Sequence, residues 1–225
     1  VNEQPEMTKF FVDVREFLPI LLQGVWLTIL VTFGSLVLST LLGLVWALMR
    51  VSRVRLLQML AQGIVNTIRG IPIIVQLFYI YFVMPELGVT LTALQASIIG
   101  LGIAYSAYQA ENFRAGIEAI DKGQIEASES LGMSWPLMMR RVILPQAVKI
   151  ILPPYGNIMI MMLKDSSQAS TITVAELTLK GQLIASSTFK YTSVLSMVAL
   201  LYLVMSVPLI LFVGWLERRM RKATP

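Results

Sequence analysis

Long apolar stretches without a single charge constrain this chain more than any other feature. Residues 17–49, 87–110 and 191–216 contain no Asp, Glu, Lys or Arg. A helix needs about 20 mostly apolar residues to cross a hydrocarbon core, and each stretch is long enough. Two further stretches are interrupted by one charge each: 56–85 by Arg69, and 142–163 by Lys149. The composition agrees, with 56% apolar residues, 14% charged residues and a mean hydropathy of +0.73. A water-soluble domain of this size needs more polar surface, whereas lipid solvates apolar side chains. The expected fold class is an all-α membrane protein, a single domain over 1–225. Its five spans are predicted at about 17–49, 56–85, 87–113, 142–163 and 191–217. Pro145, Pro153 and Pro154 predict a bent or interrupted fourth span, and Gly70 with Pro72 predict a break in the second.

The net charge of +5 does not point to nucleic acid, because the basic residues sit in the gaps between apolar runs. Basic connections tend to stay cytoplasmic. Arg50, Arg53 and Arg55 follow the first span. Arg114, Lys122, Arg140 and Arg141 separate the third and fourth, and Arg218, Arg219, Arg221 and Lys222 follow the fifth. The opposite side has Lys9 and Arg15, none over 85–92, then Lys164, Lys180 and Lys190. The N-terminus is therefore expected outside, the C-terminus inside, and the 114–141 connection in the cytoplasm. Residues 1–7 lack the basic start and short apolar core of a cleaved signal peptide, so insertion through the chain's own spans is expected. With no cysteine and no histidine, thiolate metal sites and the commonest proton relay are excluded, and no metal is expected.

The cytoplasmic connection, about 122–141, reads as helix, turn, helix. Residues 125–131 suit a short helix, and Gly132 can take positive φ to close it. Ser134 can cap the next helix, with Pro136 in its first turn. Ile125, Leu131, Trp135, Leu137 and Met138 offer apolar surface outside the bilayer. Such a surface is either a docking site or a hairpin lying on the membrane.

The pattern Glu-Ala-Ala, three residues, Gly, nine residues, Ile, one residue, Leu-Pro is the signature of ABC importer permeases. This chain resembles it at Glu126, Ala127, Ser128, Gly132, Val142, Leu144 and Pro145, with Ser128 for the second Ala and Val142 for Ile. Further motifs resemble the polar amino-acid subfamily of histidine, glutamine and arginine type. They are Gly24-Val-Trp-Leu-Thr-Ile, Arg69-Gly-Ile-Pro-Ile-Ile-Val-Gln-Leu (Ile71 for the usual Thr), Ala104-Tyr-Ser-Ala-Tyr-Gln-Ala-Glu-Asn-Phe-Arg-Ala-Gly, Leu144-Pro-Gln-Ala and Leu163-Lys-Asp-Ser-Ser. The resemblance implies a MetI-like importer permease fold in a bacterial inner membrane, with the 122–141 segment as a coupling helix seated in an ATPase. Its coupling residues would be Glu126, Ala127, Ser128, Gly132, Leu144 and Pro145. It also implies a cytoplasmic ATP-binding subunit, a second permease chain (a copy or a sister), an external solute-binding protein and a polar amino acid moved by alternating access. An opine-like solute is the alternative. The chain has no Gly-x-x-x-x-Gly-Lys-Ser/Thr loop, so no cofactor is expected here, and ATP with Mg would sit on the partner.

Several polar residues near or within spans keep two readings. Arg69 either bonds carbonyls or a partner chain at the break, or snorkels to the surface. Glu111 either touches substrate or pairs with Arg114, three residues on. Asp165 either serves as a substrate or gate group, beside Ser166, Ser167 and Gln168, or pairs with Lys164. Tyr108 and Asn157 join this candidate set through the resemblance. Ile158 stands where arginine-transporting relatives can have an acid, which weakens a cationic side-chain site. A membrane enzyme would have to use Glu111, Asp165 or a serine, and no nucleophile–base spacing is visible, so no catalytic residue is assigned. A passive channel or scaffold would not need the coupling segment.

Overall fold

The computed structural model describes the backbone of residues 6–221 and the side chains of 10–220. Residues 1–5 of the polar start and Lys222 lie outside the described residues, as do the side chains of Lys9 and Arg221. Among the described residues every regular element is a helix. Helix α1 runs Glu6–Arg50 and α2 runs Arg55–Gly70. Next, α3 (Ile73–Phe78) continues into a π turn, Tyr79–Val83, and a 3-10 turn, Met84–Leu87. Helix α4 is Ala93–Glu118, α5 is Lys122–Ser130, and α6 is Trp135–Met138, extended by a π turn at Met139–Ile143. Helix α7 is Leu144–Asp165, followed by a 3-10 turn at Ser166–Ile172. Helices α8 (Leu177–Thr188) and α9 (Tyr191–Arg221) complete the described residues.

Two helical segments, Phe10–Arg50 and Tyr191–Met220, are long and apolar enough to cross a membrane, and the broken pair Arg55–Gly70 plus Ile73–Leu87 makes a third candidate. The break stands where Gly70 and Pro72 predict it. Pro72 has no N–H to continue α2 and becomes the N-cap of α3. Of the bend or interruption expected in the fourth stretch, the interruption is absent: α7 is continuous through Pro153 and Pro154. The irregularity lies before it instead, as the π turn ahead of Pro145.

The contacts divide the chain into two compact units, and α1, α4, α7 and α9 each contribute to both. The first unit combines the segment ending at Ser35 with Pro72–Leu101 and Met161–Pro208. Its core joins Phe17 and Leu21 of α1, Leu177 and Ala185 of α8, and Val194, Met197 and Val198 of α9. Gly24 permits this closeness. A Cβ there would lie 2.7 Å from the Leu177 Cα, so α1 meets the start of α8 backbone to backbone. The second unit combines Leu36–Ile71, Gly102–Ile160 and the segment beginning at Leu209. One cluster there, Ile117, Ile120, Met138, Ile143 and Ala147, packs α6 and its π turn against α4 and α7. Another, Val65, Ala107 and Ala110 with Trp46 and Ile68, packs α1, α2 and α4.

Many large apolar side chains face outward, among them Trp26, Phe33 and Leu41 on α1 and Leu203, Val204 and Leu211 on α9. Surfaces of this extent are sustained by lipid or protein neighbours rather than by water.

Candidate functional site

The segment after α4 is built by local chemistry. Asp121 caps α5 by accepting the Gly123 N–H at 2.8 Å. The other end closes in a Schellman motif: Gly132 N–H donates to the Glu129 carbonyl at 2.9 Å, and Met133 N–H to the Ser128 carbonyl at 3.1 Å. Gly132 holds φ at 72°, and a Cβ there would meet nothing within 4 Å. The predicted turn is therefore present. Ser134 occupies the N-cap position of α6 with Pro136 in the first turn, but its side chain makes no capping bond.

The apolar residues of this segment divide between two faces. Leu131 is 81% exposed, and Leu137 is also exposed. Met138, expected at the surface, is buried at 1% in the cluster with Ile143 and Ala147, and Ile125 and Trp135 pack against that cluster. The reason is the short α6, which turns Met138 toward α4 and α7. Of the candidate coupling residues, Glu126, Ala127, Gly132 and Pro145 are exposed and Leu144 is half-buried. Ser128 is buried, and its hydroxyl donates to the Gln124 carbonyl at 2.7 Å. Arg53, in the α1–α2 turn, donates to Glu129 at 2.9 Å and lies over the Trp135 ring at 5.3 Å.

The same unit holds a charge network around Glu111. Arg114 reaches its carboxylate at 2.9 and 3.1 Å, the pairing expected three residues along one helix. Arg50 from the end of α1 also pairs with it, and Arg69 from the end of α2 approaches at 3.4 Å. Arg114 in turn pairs with Glu118, and the Arg69 guanidinium lies 5.7 Å from the Tyr108 ring centre. Tyr108 and Glu111 are thus joined through Arg69. Asn157 is elsewhere in the unit, donating to Glu217 at 3.4 Å. Sequence reading used Arg50 only for orientation; nothing local marks it as a partner of a residue 61 positions away.

Asp165 and Gln168 belong to the first unit. Asp165 ends α7, and Gln168 lies in the 3-10 turn behind the buried Ser166, whose hydroxyl donates to the Leu163 carbonyl at 2.7 Å. This unit also contains a buried acid that sequence reading missed. Glu176 caps α8 by accepting the Leu179 N–H at 2.9 Å, and it accepts the Tyr202 hydroxyl at 2.8 Å and the Thr28 hydroxyl at 3.3 Å. Burial pushes its carboxyl above the ordinary range, although these bonds pull the other way. Its position just before an apolar helical run was the available signal, blunted because Ser, Thr, Asp and Asn dominate N-caps.

A model of the family described as "Binding-protein-dependent transport system inner membrane component" matches residues 39–222. A protein of Vibrio harveyi named as a probable amino-acid ABC transporter permease, PatM, is 40% identical over 211 residues, covering 92% of this chain and 95% of its own. A solved amino acid ABC transporter with histidines is 39% identical with a TM-score of 0.87, over 93% of this chain and 98% of that one. The MetNI methionine ABC transporter in an inward-facing conformation is 25% identical with a TM-score of 0.79, over 91% and 98%. On this evidence the chain belongs to the binding-protein-dependent inner-membrane transport family, as the membrane-spanning permease subunit of an ABC importer, a component that is not itself an ATPase and whose family implies an ATPase and a substrate-binding protein as partners.

Proposed function

We propose that this chain carries a polar amino acid into the bacterial cytoplasm by alternating access. Five spans serve this role: α1, the α2–α3 pair, α4, α7 and α9. The distribution of Lys and Arg favours an outside N-terminus and a cytoplasmic 114–141 connection. The 122–141 segment seats in a cleft of the ATPase, which binds ATP and Mg, and two permease chains, identical or sister, form the membrane half. The names of the relatives above favour an amino acid over an opine.

One observation carries the coupling role: α5 ends in a left-handed Gly132 with open space around it, next to a Leu131 that is 81% exposed. An apolar, rigidly closed knob of this kind fits a protein cleft. Leu131→Asp tests it, since this side chain touches little of its own chain. The substituted protein is expected to insert in the membrane at normal levels, lose most of its copurifying ATPase and lose ATP-driven uptake of L-histidine or L-glutamine in proteoliposomes. Full ATPase yield with Leu131→Asp would sink the docking assignment. Equal solute flux without ATP would favour a passive channel.

A further inference from the structure

The second apolar stretch stops at Gly70 and resumes after Pro72. Interrupted helices in transporters bring helix ends and polar side chains to the solute's path, and the shared contacts with Arg50 and Arg114, which the Lys and Arg distribution puts on the cytoplasmic side, set this break toward the inner end of that path. Arg69 stands in the last turn of α2, at such an end. Its surroundings have the composition of a receptor. Arg50, Arg69 and Arg114 converge on Glu111, and Glu118 is the further carboxylate on Arg114. Among the described residues, three cations thus meet two carboxylates, which leaves this cluster short of one negative charge.

Arg69 is the member that an incoming anion can recruit. The Arg50 side chain is 13% exposed and Arg114 29%, whereas Arg69 is 44% exposed. Its contact with Glu111 is the longest of the three and shares Oε1 with Arg50. Tyr108 lies beside the guanidinium at 5.7 Å and limits its orientations. A guanidinium keeps five donors in a fixed fork, enough for Glu111 and a second carboxylate together. The end of α2 adds helix carbonyls and a partial negative charge, which suit an ammonium group.

We propose that Arg69, oriented by Tyr108 and Glu111, receives the α-carboxylate of a zwitterionic solute, with the end of α2 facing its ammonium group. This rests on the amino-acid import reading and names the group that executes it.

The test uses the purified permease–ATPase complex without its binding protein, so that selection by the binding protein cannot mask selection by the permease. A labelled mixture of the twenty protein L-amino acids and L-cystine identifies which one is retained. The retained amino acid is then competed against its own carboxamide. Wild type should prefer the free carboxylate at least tenfold. Arg69→Gln should abolish that preference by weakening the amino acid alone, and Arg69→Lys should keep part of it. An unchanged carboxylate-to-carboxamide ratio in Arg69→Gln overturns the subsite and leaves amino-acid import standing. Retention of no amino acid by wild type overturns both. Should Arg69→Gln fail to assemble, the same ratio in Arg69→Lys decides: a ratio equal to wild type overturns the proposal, and a reduced one supports it.

Discussion

Replacing Glu176 separates a hydrogen-bonding role from a charge role. The carboxylate has no exposed surface and accepts from the Leu179 N–H, the Tyr202 hydroxyl and the Thr28 hydroxyl. In Glu176→Ala the two hydroxyls keep other partners: Tyr202 bonds Thr178 at 3.0 Å, and Thr28 donates to the Gly24 carbonyl at 3.1 Å. The Leu179 N–H is left without its cap, at a cost of about 1–3 kcal/mol. The space vacated by the side chain adds about 1–2 kcal/mol, in proportion to the cavity that remains. Glu176→Ala should therefore cost about 3 kcal/mol in equilibrium unfolding by SDS titration of the detergent-solubilised chain. Glu176→Gln keeps an acceptor for Leu179 and a donor for the two hydroxyl oxygens while removing a charge that burial disfavours, so it should fall within about 1 kcal/mol of wild type. The pH dependence follows. The folded-state pKa lies above the ordinary 4.5, so the folded protein holds this proton where the unfolded chain has released it. Stability from this group is greatest below the ordinary value and declines as pH rises through the raised one. Glu176→Gln should flatten that slope. A Gln variant as unstable as Ala, or wild-type stability that rises over that window, would refute the reasoning.

Three further experiments probe other parts of the molecule. Gln109 is fully buried, and neither of its side-chain polar atoms has a hydrogen-bond partner among the described residues; Gln109→Leu should raise stability by about 1–2 kcal/mol in the same titration, and a loss would reveal a bound water or a partner group there. Gly132→Ala pays only the left-handed backbone cost of about 1–2 kcal/mol, because nothing in this chain lies within 4 Å of the new methyl. Copurified ATPase should drop well beyond that cost, and unaltered stoichiometry would remove Gly132 from the docking surface. The Arg53–Glu129 pair has side chains 70% and 50% exposed, so a double-alanine cycle should give a coupling of at most about 1 kcal/mol in stability; a coupling several times larger would contradict the exposure-based estimate.

What could be read from the sequence were the features that depend on near neighbours along the chain. Gly70 and Pro72 act on their own turn, Gly132 on its own φ, and Arg114 on a carboxylate three residues away. Contacts between distant segments were not legible. Arg50 meets Glu111 across 61 positions, Asn157 meets Glu217 across 60, and Thr28 meets Glu176 across 148. No local pattern encodes these pairings, since each depends on which helix faces come together. Met138 fails for a related reason: an apolar residue in a short helix between apolar stretches looks available until α4 and α7 close over it. The interruption expected at the proline pair in α7 does not occur, because a long helix tolerates the lost donors when neighbouring groups compensate.

The relative strengths of these contacts indicate how a push on α5 would enter the helices. Among the described residues, polar contacts of Arg53 and an apolar cluster hold the 122–141 segment within its unit. The polar contacts are the exposed Arg53–Glu129 pair, worth at most about 1 kcal/mol, and the Arg53 guanidinium over the Trp135 ring. In the apolar cluster, Met138 and Ile143 are each 1% exposed. A buried side chain of this size is worth about 1.5–3 kcal/mol, and close packing transmits displacement with little slack. The apolar cluster therefore dominates, and α6 should move with the ends of α4 and α7 as one body, while Arg53 mainly sets orientation. Helix α4 carries Glu111, on which Arg50 of α1 and Arg69 of α2 both rest. A shift of α4 along its axis would break the Arg69 contact before the Arg50 contact, because it is already the longer and weaker of the two. The group proposed to hold the solute's carboxylate is thus the member of the network most responsive to movement of the 122–141 segment.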